Sequence, residues 1–167
     1  MISEPMQQAL STQLNHEFGS SYLYLAMSAY CSNADFNGAA TWFRLQHEEE
    51  QFHATKVYDY MIDQGVNVSL AAIPAPSHTY SSLLDVFEAS LAHEQEMTVR
   101  LNDLSDQALA EKDHATYNLL QWFVNEQVEE EATASAIIAK LRLVGSDGYG
   151  LLMVDNELGE RADSGAE

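Results

Sequence analysis

The chain has 167 residues, 46% of them apolar, and carries 7 Lys plus Arg against 26 Asp plus Glu, a formal charge of −19. That length suits one domain, and the apolar content excludes the weakly hydrophobic, highly charged regime of disorder. So acidic a balance argues against nucleic acid and anionic membranes and points to metal cations as partners.

Met1-Ile2-Ser3-Glu4-Pro5 lacks the basic start and apolar core of a signal peptide, so a cytoplasmic location is expected. Ser3 reads instead as the N-cap of a helix A that reaches about Ser32, with Glu4 and Pro5 in its first turn. Its seam is Leu10, Leu14, Glu17, Ser21, Tyr24, Ser28 and Cys31. Cys31 is the single cysteine, which excludes an internal disulfide and a Cys-x-x-Cys metal knuckle. Asp35 or Asn37 is expected to cap helix B, which ends at Gly65 and carries Ala39, Phe43, Gln46, Glu50, His53, Val57 and Tyr60 on one face. A loop with Pro74 and Pro76 follows. Helix C begins near Ser82, in capping-box spacing with Asp85, and ends near Ala110. Its stripe is Leu83, Phe87, Ser90, Glu94, Met97, Leu101, Leu104 and Ala108. Asp113 caps helix D, with Thr116, Leu120, Phe123, Gln127, Glu130, Ala134, Ile137 and Leu141 on its seam and Gly145 as its stop. A short fifth helix is expected from about Asp147 to Leu158.

Connection lengths fix the topology. A and B, and likewise C and D, are separated by only a few residues, so each pair is an antiparallel hairpin. A helix of about 28 residues spans roughly 42 Å, and about 16 extended residues reach roughly 50 Å, so the B to C loop can run the length of the bundle. The expected fold is all-α: two antiparallel hairpins joined by one long crossover, the ferritin-like four-helix bundle, plus a short C-terminal fifth helix. Residues 1–145 are assigned to the bundle, 146–159 to the fifth helix and 160–167 to a flexible tail.

A glutamate interrupts every seam near its middle: Glu17, Glu50, Glu94 and Glu130. One glutamate on a helix is ordinarily solvated or salt-bridged. Four at one level of a desolvated bundle would repel one another unless cations neutralise them, and no Lys or Arg lies on the seams. His53 follows Glu50 by three residues on the same face. Oxygen-rich ligation with one imidazole suits iron or manganese. Glu49, Glu126 and Glu129 adjoin this group and, with Glu130, could hold one further cation or form a solvated acidic face. Tyr24 reads either as a packing aromatic or as a hydrogen-bond donor to the site. His16, His78, His93 and His114 lack such spacing and read as surface or capping residues.

These residues resemble a bacterial non-haem ferritin over essentially the whole chain. The matching stretches are Asn15-His16-Glu17 with Tyr24, Glu49-Glu50 with His53, His93-Glu94-Gln95, Leu120-Gln121-Trp122, and Asn125 to Glu131; Gly148 to Leu151 and Asp155 to Leu158 match the fifth helix. The resemblance implies that Glu17, Glu50 and His53 ligate one iron and Glu50, Glu94 and Glu130 a second. It makes Gln127 a hydrogen bonder to that pair, and Glu49, Glu126, Glu129 and Glu130 a third iron site. Tyr24 becomes a tyrosine involved in electron supply, with Trp122 close by. It further implies a homo-oligomeric shell of 24 subunits that binds Fe2+, oxidises it with O2 or H2O2 and stores ferric mineral.

Departures from relatives matter too. Bacterioferritins have a second Glu-x-x-His on helix D, where this chain has Gln127 and Glu130, and a haem-binding Met where it has Gln51; haem is not expected. Tyr117 and Leu120 stand where animal ferritins line an entry channel with acids. Alternatives are a di-iron carboxylate oxidase or peroxidase, a bacterioferritin-like protein without storage as its main role, and a metal buffer that consumes no oxygen.

Overall fold

The Ser3 hydroxyl accepts the Met6 amide at 3.1 Å and so starts α1, Glu4–Asn33, in the computed structural model, which describes residues 2–161. The other helices are α2 (Asn37–Asp63), α3 (Leu83–Ala110), α4 (His114–Val144) and α5 (Gly148–Gly159). Ser82 accepts the Asp85 amide, Asp113 the Thr116 amide and Asp147 the Gly150 amide, as their spacings predict. Asp35 and Lys112 take left-handed backbone angles in the two hairpin turns, and Gly145, at φ 56°, ends α4.

The start of α2 differs from expectation. Phe36 is its N-cap and offers no side-chain bond; neither Asp35 nor Asn37 caps it. The cap comes from α5. Asp155 accepts the Gly38 amide at 3.1 Å and the Ala39 amide at 2.8 Å, satisfying two first-turn donors with a charge suited to the positive end of the helix. Gly38 makes this approach possible, since a Cβ there would lie 1.7 Å from the Asp155 carbonyl oxygen.

α1 packs along α2 and α3 along α4, α1 meets α3, and α5 lies on α2 with a smaller contact to α4. The segment between α2 and α3 runs the length of α1. Val66 packs in the cluster that holds Met6 and Leu10, Asn15 bonds to Ala71 and Ala72, and Tyr80 meets Tyr30 edge to face at 5.1 Å. The long crossover is thus laid down as predicted. None of the described helices is long and apolar enough to cross a membrane.

The apolar core is divided in two. One cluster gathers Tyr24, Phe43, Phe87 and Leu141 with Val154 and Leu158 of α5; the other gathers Met6, Leu14, Val57, Leu101 and Phe123. Between them lies a belt of buried polar side chains: Glu17, Ser20, Ser21, Gln46, Glu50, His53, Ser90, Glu94 and Gln127. Arg161 is held against α2, and the rest of the segment assigned to the tail, residues 162–167, lies outside the described ones.

Candidate metal centre

α1, α2 and α3 bring Glu17, Glu50 and Glu94 into this belt and α4 brings Gln127, with the partly buried Glu130 at its edge. Glu17, Glu50 and Glu94 are at most 3% exposed, so each carboxyl has left water and needs a partner. Glu17, Glu50 and His53 converge so that one ligand atom from each lies within 4.8 Å of the others. His53 Nδ1 stands 3.6 Å from Glu50 Oε2, and its ring is fixed edge-on by Trp122 at 5.3 Å and Phe123 at 5.8 Å. Gln13, one turn before Glu17, donates to Glu17 Oε1 at 2.7 Å.

The opposite side is organised around Glu94. Tyr24 donates its hydroxyl proton to Glu94, and Gln127 Nε2 donates to the Glu94 carboxylate and to the Glu94 carbonyl, each at 3.0 Å. Ser90 donates to the Tyr24 oxygen at 3.4 Å, and the phenol ring stacks on Phe43. Tyr24 is therefore both packed and polar, fully buried with its hydroxyl on a carboxylate. His93, expected at the surface, bonds Ser20 at 2.8 Å and meets the Tyr24 ring edge-on.

Charge repulsion is the dominant property of the belt. Burial, then the charge of Glu50, pushes the Glu17 carboxyl well above the usual range. Burial, followed by Glu94 and Glu130, does the same to Glu50. Glu130 is raised to about 7 by burial and Glu94, with the Gln46 amide opposing the rise. Such acids release their protons readily only when positive charge arrives, which is what divalent cations supply.

Beside the belt a cavity of about 420 Å³ is lined by Glu49, Glu126, Glu129 and Glu130, with Trp42, Trp122 and Arg161 among its walls. His53 also borders it, so the cavity and the Glu17, Glu50, His53 cluster share a wall. Glu129 is exposed and Glu126 partly buried, and burial raises the Glu126 carboxyl. These acids do not close as tightly as the first three.

Residues 7–144 match the ferritin-like domain of the ferritin family. The chain belongs to that family. It is 42% identical over 162 residues to a bacterial non-heme ferritin of Staphylococcus saprophyticus, covering 97% of each chain. A bacterial non-heme ferritin of Staphylococcus aureus is 42% identical over 161 residues, with 96% and 97% covered. A solved open-pore ferritin from the hyperthermophilic archaeon Archaeoglobus fulgidus superposes with a TM-score of 0.96 at 45% identity, covering 97% of this chain and 100% of that one.

Two residues of this ferritin escape the seam pattern. Gln13 is signalled only by its place four residues before Glu17. Arg161 has no local signal, for it reaches the cavity from beyond the last helix.

Proposed function

We propose that this ferritin is a ferroxidase and an iron-storage protein of the cytoplasm, assembled as a 24-subunit shell. The observation that carries the reading is the convergence of Glu17, Glu50 and His53 in a buried belt with no Lys or Arg among its buried members. In this reading Glu17, Glu50 and His53 hold one Fe2+, and Glu50, Glu94 and Glu130 hold a second. Hard carboxylate oxygens favour Fe3+ over Fe2+, so they promote loss of an electron from each iron. Two electrons and two protons convert O2 to H2O2, and the ferric product moves on to mineral. Gln127 and Tyr24 hold Glu94 in its orientation. Glu49, Glu126 and Glu129, together with Glu130, take a third iron in the adjoining cavity.

The decisive measurement adds Fe2+ anaerobically to the purified protein and then admits air. A fast oxidation phase is expected, with oxygen uptake, and Glu50→Ala and His53→Ala are expected to abolish it. Metal binding without oxygen uptake would overturn the ferroxidase reading. A native mass of one or two chains would overturn the shell.

A further inference from the structure

Arg161 is the residue of the cavity wall whose charge opposes all the others. Its guanidinium donates to Glu49 Oε2 and, at 2.9 Å, to Gln46 Oε1, and lies 4.7 Å from the centre of the Trp42 ring. The side chains of the Arg161 and Glu49 pair are only 21% and 22% exposed, against 43–72% for the other Arg and Lys pairs among the described residues. Partial burial strengthens this attraction relative to those surface pairs. The guanidinium is also carried on an anchored element, since Arg161 follows α5 by two residues and Asp155 ties α5 to the start of α2.

Two consequences follow for a cation entering the cavity. Glu49 is engaged by a positive charge that already belongs to the protein. Gln46 is engaged too, since its Oε1 accepts from the guanidinium. Departure of the guanidinium therefore removes one donor from two oxygens at once, one of them on a carboxylate.

We infer that Arg161 is a tethered competitor for the cation of the Glu49, Glu126 and Glu129 cavity, and that a metal ion gains Glu49 only by displacing it. The inference rests on the third-cation reading given above. It makes Arg161 a positioning residue that weakens retention at this cavity and leaves the Glu17, Glu50, His53 cluster alone. A metal held loosely there can pass on, while the displaced guanidinium retains Trp42 as a cation–π platform.

The test uses the full-length assembled protein and Zn2+, which undergoes no redox change. Calorimetric titration gives the affinities, and anomalous scattering from soaked crystals locates each ion. Arg161→Ala is expected to tighten the ion in the Glu49 cavity about tenfold and to leave the ions at Glu17, Glu50 and His53 unchanged. Arg161→Lys keeps the charge and is expected to stay close to wild type. In a Glu49→Gln background, where an oxygen remains but the charged partner is gone, Arg161→Ala is expected to have little effect. An unchanged affinity in Arg161→Ala, or a tenfold gain that survives Glu49→Gln, overturns the inference while the third-cation reading stands. Absence of any Zn2+ in the cavity of both wild type and Arg161→Ala overturns the third-cation reading and this inference with it.

Discussion

Tyr24 of α1 donates its hydroxyl proton to Glu94 of α3, so one hydrogen bond joins the two hairpins at the centre of the polar belt. The bond fixes one carboxylate oxygen of Glu94 while Gln127 takes the other. Tyr24→Phe keeps the ring packed on Phe43 and removes only the donor. It is expected to slow Fe2+ oxidation roughly tenfold, the usual scale for a partner of a ligand, without changing the number of irons bound. Stopped-flow absorbance after mixing with oxygenated buffer measures the rate; an unchanged rate would show that the hydroxyl serves packing alone.

Gln13 acts on Glu17 as Gln127 acts on Glu94. Gln13→Leu leaves Glu17 without its donor in a site that is 2% exposed. Affinity for the first divalent cation is expected to fall about tenfold. Anaerobic Fe2+ titration distinguishes this from a folding defect, which circular dichroism would report.

The raised acids give the metal-free protein a pH dependence of definite sign. Glu130 has a folded value of about 7 against an ordinary 4.5, so between those values the folded chain holds more protons than the unfolded one. Its contribution to stability is fully present below about pH 4.5 and is lost as pH rises through 7, at no more than about 1.4 kcal/mol per pH unit. Glu17 and Glu50 act in the same direction. Thermal unfolding of the metal-free protein is expected to show a falling Tm from pH 5 to 7.5, flattened in Glu130→Gln. Saturating divalent cation should raise Tm most at the upper end of that range, because protons and metal compete for the same oxygens. A slope identical in wild type and Glu130→Gln would refute the assignment.

Gly38 and Asp155 predict a stability effect remote from the belt. Asp155→Ala removes a cap and is expected to cost about 1 kcal/mol. Gly38→Ala is expected to cost more, since its Cβ would meet backbone rather than a flexible side chain. Both losses should appear in chemical denaturation.

The helices were legible because their signals are local. Ser3, Ser82, Asp113 and Asp147 cap the helices that follow them, and a short chain of three- and four-residue steps exposes each mid-seam glutamate. The cap of α2 was not legible, because Asp155 lies more than a hundred residues away and nothing near Phe36 announces it. The same holds for Arg161. Its contacts with Gln46 and Glu49 arise only once α5 has folded back, and a lone Arg after a helix end reads as solvated. His93 departs from the surface or capping expectation for a related reason: its partners Ser20 and Tyr24 lie on another helix.

The clasp between α5 and α2 also sets which amides report its opening. The Gly38 and Ala39 N–H groups, whose acceptor is a carboxylate of the last helix, are sealed by that helix rather than by their own. Their exchange with deuterium therefore measures the free energy of lifting α5 alone, a local event distinct from melting of the hairpins. Two neighbouring amides sharing one protection factor, lower than that of the bundle centre, would mark α5 as a separately opening unit.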